Sequence, residues 1–166
     1  MGLYNFHPRF VPFIEIGLRD PHNPRAKTHT IRAPRAREDR PGSTMHLYVG
    51  LRRKGARRIE ARVGDPPPTC VRVETIVIWG SELPHHESVW TPSNDATLRE
   101  KVWIGPLVHD AQPYCVIHEP AKHGLVCLTD DECQSLARRD GFGDFPEMMQ
   151  FWTGRLPFYG HIFHWR

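Results

Sequence analysis

No stretch of the chain approaches the roughly 18 consecutive apolar residues that a membrane-spanning helix needs. The opening residues, Met1-Gly2-Leu3-Tyr4-Asn5-Phe6, lack the charged-then-apolar profile of a secretory signal. Phe6 also breaks the myristoylation pattern. Cysteine is sparse: Cys70, Cys115, Cys127 and Cys133 form no Cys-x-x-Cys pair. They read as reduced, mostly buried thiols of a cytoplasmic protein rather than as a disulfide framework. A phosphate loop, a dinucleotide fingerprint and a Gly-x-Ser-x-Gly elbow are all missing, which removes the commonest NTPase, dehydrogenase and serine-hydrolase signatures. Heptads and internal repeats are missing too.

What is present points to strands. Proline is abundant, 16 residues against 13 glycines, and such punctuation suits short strands and loops better than long helices. The apolar share of 39% is modest but well above that of disordered chains, and 166 residues suffice for a single domain with a sizeable core. The net charge of +3 hides an asymmetry. Residues 1–72 carry 15 Lys/Arg against 6 Asp/Glu, whereas residues 73–166 carry 7 against 13. Arginine outnumbers lysine 18 to 4, and its planar fork matches phosphate and guanine edges. A basic first half attracts a phosphate backbone.

Along the chain, Arg9–Leu18 carries Phe10, Phe13, Ile14 and Ile16 to Leu18 on a helical stripe, with Pro12 tolerated in a first turn. The Pro-rich break 20–25 precedes a predicted strand at 27–33, rich in Thr and Ile. Further strands are predicted at 44–51, 57–63 and 70–79, the last alternating through Val71, Val73, Thr75 and Val77. Residues 80–121 are broken by five prolines; strands are expected near 102–104 and 114–118. A strand at 125–128 leads to a helix announced by the capping box Thr129/Glu132, with Cys133, Leu136 and Ala137 on one face and Gly141 to end it. A second helix at 145–153 has Asp144 and Glu147 as cap and Met148, Phe151 and Trp152 on its apolar face. A closing strand at 158–165 completes a β-rich α+β pattern.

The chemistry concentrates in Lys27-Thr28-His29-Thr30-Ile31-Arg32. Together with the helix 9–18, the turn and strand 41–47 (PGSTMHL) and the segment 136–142 (LARRDGF), this motif resembles the ASCH domains of the PUA-like superfamily, of the type found in phage and prophage genomes. Phe151-Trp152 and the strand 156–165 resemble that family's final helix and strand. The resemblance covers about residues 9–63 and 125–165; the region 71–121 reads as an insertion, with 80–121 its least readable part. It implies one small β-barrel domain over residues 1–166 with short flanking helices, and a cleft lined by the Lys-x-x-Thr-x-Arg segment. Some bacterial members are amidohydrolases that deacetylate acetylcytidine with a Lys, a Thr and an acid. By resemblance these fall on Lys27, Thr30 and Asp140, with Asp where those enzymes carry Glu.

That assignment is chemically coherent. A threonine hydroxyl needs a base, and a desolvated lysine near a second cation such as Arg32 can act as one. Asp140 would orient Lys27 or pass a proton to the leaving amine, and Arg32 would hold the oxyanion. Two features oppose it. In an ideal strand Lys27 and Thr30 point to opposite faces, so Lys27 must sit in the preceding turn. Asp is also one methylene shorter than Glu.

Binding without catalysis is the leading expectation. Arg25, His29, Arg32, Arg35, Arg52, Arg53, Lys54 and Arg57 are the candidate contacts to RNA, to other single-stranded nucleic acid or to a modified nucleoside, with Tyr48 and Trp79 as stacking surfaces. An acyl-cytidine amidohydrolase or a ribonuclease is the alternative. A third possibility is an accessory factor that docks on another protein through residues 80–121. No cofactor is expected. His118, His123, Cys127 and Cys133 form the best metal-ligand group, but their spacing fits no known zinc motif.

Overall fold

The computed structural model describes residues 2–36, 39–79, 114–119, 124–156 and 158–166, with backbone alone for 79, 114–119 and 124–127. Strand β1 (Gly2–Phe6) opens the chain and is followed by a 3-10 turn (Pro8–Phe10) and helix α1 (Val11–Arg19). Next come β2 (His29–Arg32), β3 (Met45–Val49), the two-residue β4 (Arg57–Arg58) and β5 (Cys70–Trp79). After β6 (Tyr114–Glu119) and β7 (Gly124–Cys127) come α2 (Asp130–Arg139), α3 (Phe145–Trp152) and β8 (Phe158–Trp165). The α+β class expected from the sequence is observed.

The strands form two sheets, β1-β3-β4 and β2-β8-β5-β6-β7. β1 runs parallel to β3, and every pairing in the larger sheet is antiparallel. The sheets are stitched at one corner by the Thr44–Thr69 bridge. Hydrogen bonds from Met45 N to Pro68 O and from Cys70 N to Ser43 O reinforce it. The register sets His29 and Ile31 opposite His164 and Ile162, and Thr30 and Arg32 opposite Phe163 and His161. Side chains alternate along a strand, so these two sets occupy opposite faces of β2.

Both faces of β8 are covered, which explains its nearly continuous apolar sequence. Phe163 meets Tyr4 and Trp165 meets Phe6 from the small sheet, at ring separations of 5.6 and 6.0 Å. On the other face Phe158 stacks on Trp152 of α3 at 4.2 Å. Such aromatic pairs add about 0.5–1.5 kcal/mol each beyond area burial. Ile31, Ile76, Ile78 and Ile162 complete this core.

The helices follow their local signals. The Thr129/Glu132 capping box is formed reciprocally, Asp144 caps α3 through Glu147 N at 2.8 Å, and Gly141 adopts φ +89° after α2. Cys133, Leu136 and Ala137 are buried as the periodicity requires. On α3, Met148, Met149 and Trp152 face inward, whereas Phe151 is 42% exposed. Correcting the predicted apolar face, Met149 takes the buried place expected for Phe151.

Three strand expectations need adjustment. β1 was not anticipated, since its five residues lie before the first recognisable punctuation. The strand expected at 27–33 is confined to His29–Arg32, because Lys27 N bonds to Phe13 O at 2.9 Å instead of joining a ladder. The strand expected at 57–63 is reduced to Arg57–Arg58, because Arg58 and Glu60 pair locally and Asp65 closes a turn on Arg62 N. The strand expected near 102–104 lies outside the described residues, as does most of the expected insertion. No helix among the described residues is long and apolar enough to cross a membrane.

Candidate functional site

Lys27 is the best-buried charged side chain described, 2% exposed. Its backbone is clamped by α1: Lys27 N bonds to Phe13 O, and a Cβ on Gly17 would lie 2.4 Å from Lys27 O. Only glycine allows this approach, so Gly17 fixes where Lys27 leaves the helix layer. The side chain then runs beneath Phe10 and Gly141. Its ammonium lies 5.1 Å from the Phe10 ring centre and bonds to both the carboxylate and the backbone carbonyl of Asp140 (the latter at 2.5 Å). Asp140, the C-cap of α2, is 5% exposed.

Burial dominates the electrostatics of the pair. It lowers Lys27 to about 8, with Arg32 and Arg9 adding repulsion, although Asp140 pulls the other way. Burial likewise raises Asp140 above the ordinary carboxylate value, against the attraction of Lys27. His29 is the third member. It is wholly buried, its Nε2 is 3.7 Å from Asp140 Oδ1, and neither ring nitrogen has a hydrogen-bond partner among the described residues. Burial, then the Lys27 charge, hold its pKa well below the usual histidine value, so the ring is neutral. Behind it His164 lies 5.3 Å away, ring to ring, and bonds to Glu74 at 2.6 Å.

The expected residues thus divide. Lys27 and Asp140 meet, and Lys27 precedes the strand as a Lys–Thr arrangement would require. Thr30 is buried but on the opposite face of β2 from His29, and no hydrogen bond among the described residues joins it to Lys27 or Asp140. His29 was expected to contact nucleic acid; its complete burial excludes that in this conformation. Arg32 is half-buried and already engaged. It donates to Asn5 O at 2.8 Å and lies 5.0 Å from the Phe6 ring centre, so it braces β1 against β2. Arg35 is exposed but leans on Tyr4 and donates to Leu3 O.

Arg25, Arg52, Arg53, Lys54 and Arg57 are exposed. Three of them, Arg52, Arg53 and Lys54, crowd the loop between β3 and β4, and Arg57 opens β4; Arg52 takes φ +70° between Gly50 and Gly55, both also left-handed. Tyr48 beside it is half-buried. The Trp79 side chain lies outside the described residues, as do those of His118, His123 and Cys127. Cys133, the fourth of that group, is a buried thiol on the core face of α2.

Sequence reading missed a cleft of about 360 Å³ on the outer side of the Lys27–Asp140 pair. Arg9, Phe13, Arg25, Arg138, Phe142 and Glu147 line it, and Gly141 and Gly143 form part of its wall. Its members come from three distant segments, so spacing alone gave no signal. Arg9 spans it, 4.6 Å from the Phe10 ring centre and 4.8 Å from that of Phe142, and pairs with Glu147 at 3.2 Å. Comparison of the chain with protein-family models, curated proteins and solved structures gives no match.

Proposed function

We propose that the chain is a PUA-like barrel of the ASCH type that binds single-stranded nucleic acid, RNA or a strand carrying a modified base. The observation that carries this reading is the exposed β3–β4 loop. Arg52, Arg53 and Lys54 stand there at the surface with Arg57 beside them at the start of β4, and Glu15, 3.6 Å from Arg57, is the one carboxylate in ion-pair range of any of them among the described residues. Clustered exposed cations on a short hairpin suit a phosphate backbone. The corner hydrogen bonds between the two sheets support the barrel. Fluorescence anisotropy with a labelled single-stranded RNA, repeated with DNA, tests the reading. If about four phosphates are neutralised, affinity falls with salt at a logarithmic slope of about −3. Arg52→Glu with Arg53→Glu weakens binding and flattens the slope. Affinity unchanged between low and moderate salt refutes the reading.

Hydrolysis of an acylated cytidine-type nucleoside is the second reading, favoured by one observation: burial brings Lys27 to about 8, near the value that suits a general base. It requires Thr30 to turn toward Lys27 when substrate binds. Turnover is then lost in Thr30→Ala and recovered in part in Thr30→Ser, with both variants folded. Full activity in Thr30→Ala eliminates it.

A further inference from the structure

The cleft above the Lys27–Asp140 pair has a chemistry of its own, separate from the exposed loop. Three arginines reach it from different segments: Arg9 from the turn before α1, Arg25 from the loop before Lys27, and Arg138 from the last turn of α2. Among the described residues one acid lines it, and that acid is engaged: Glu147 binds Arg9 through Oε1 and accepts from Gly143 N through Oε2. Among the described residues no carboxylate pairs with Arg25 or Arg138, so the cleft keeps a positive excess. Phe13 and Phe142 supply apolar ring surface, and the glycines leave the wall low. A Cβ on Gly141 would meet Phe10 at 2.9 Å and Lys27 Cδ at 3.3 Å. The volume is at the small end of ligand clefts, which run from about 300 to 1,000 Å³.

We infer that this cleft binds a nucleoside monophosphate, free or as the phosphorylated end of a strand. The phosphate lies between Arg25 and Arg138, where charge-assisted forks are available. The base lies against Phe13, with the Arg9 guanidinium that covers Phe142 on its other side. A planar ring joined to a dianion matches the lining better than either part alone. Phosphate gives the two arginines a counter-ion, and the base covers what remains exposed of Phe13, a half-buried ring whose centre lies 5.7 Å from the Arg25 guanidinium. The cleft is small enough to hold one nucleotide and too small for a stack of several. The inference needs neither the loop-binding reading nor hydrolysis at Lys27.

Isothermal titration calorimetry of the full chain with nucleoside 5′-monophosphates, the matching nucleosides and inorganic phosphate provides the test. Monophosphates are expected to bind at least about tenfold more tightly than nucleosides, as for a ligand with one added charge-assisted contact. Arg25→Ala and Arg138→Ala, both at exposed positions, each weaken monophosphate binding several-fold and leave nucleoside binding unchanged. Competition with 5′-phosphorylated and 5′-hydroxyl oligonucleotides separates the sources: displacement of the monophosphate by the phosphorylated oligonucleotide alone identifies a strand end, and displacement by neither identifies a free nucleotide. Equal affinity for nucleoside and monophosphate overturns the inference, as does an unchanged affinity in both arginine variants. So does displacement by the 5′-hydroxyl oligonucleotide. Loss of monophosphate binding in the Arg25 and Arg138 variants leaves strand binding through Arg52 and Arg53 intact, so the two readings fail separately.

Discussion

Removing the Asp140 carboxylate tests the buried pair most directly. In Asp140→Ala, Lys27 keeps one acceptor, the carbonyl of residue 140, and loses its counter-ion in a setting where 2% of the side chain reaches water. Breaking a buried pair from one side costs about 3–5 kcal/mol. The lysine has an escape, which is to shed its proton. In the fold its value is already about 8, one pH unit above 7, so doing so at pH 7 costs about 1.4 kcal/mol. The penalty at pH 7 therefore falls toward the low end of that range, and it shrinks further at pH 9, where the wild-type lysine has itself shed most of its proton. Urea unfolding followed by tryptophan fluorescence at both pH values measures it. In the wild type the sign is equally definite. Lys27 is lowered to about 8 in the folded chain, so between about 8 and 10.5 the unfolded chain binds more protons and the Lys27 contribution to stability rises with pH. The double variant Lys27→Met, Asp140→Leu removes both ions together and recovers most of the loss. A loss below about 1 kcal/mol in Asp140→Ala, the same at both pH values, refutes the description of the pair as desolvated.

Gly17→Ala drives a methyl group into Lys27 O and lowers stability by about 1–3 kcal/mol, read as a fall in Tm with an unchanged circular dichroism spectrum. Thr129→Ala removes the α2 cap for about 1 kcal/mol, measured by urea unfolding. Arg52→Gly relieves the left-handed backbone at φ +70° and stabilises the chain by up to about 1 kcal/mol, while anisotropy records weaker RNA binding. Stability and binding thus move in opposite directions at one residue. A parallel decrease in both refutes a functional origin for that strain.

Legibility in the sequence followed the range of the interactions. The helices after residue 129 were readable because their caps lie within three residues of the turns they satisfy: Thr129 with Glu132, and Asp144 with Glu147. The strands at 70–79 and 158–165 were readable to the residue, since burial gives each a run of β-formers. β1 was not, because its pairing partner lies more than forty residues away and its own alternation is only five residues long. At the site, Lys27 and Asp140 were paired by family resemblance and not by any local signal. The surprise was His29, which reads as a polar strand residue. Register with His164 carries it into the interior. The arginine cleft was invisible for the reason that hid β1: residues 9, 25 and 138 become neighbours only after the chain has folded.

The place of β8 has a consequence for how the molecule is made. It follows β2 and β5 in the chain, yet lies between them in the sheet. Until residues 158–165 are available, each of those strands keeps an open edge, with apolar residues such as Ile31 and Ile76 beside it. A nascent chain halted before Phe158 therefore presents two templates for pairing with its neighbours. About 130 residues separate the start of β2 from the start of β8, so the larger sheet stays divided until that whole stretch has been made.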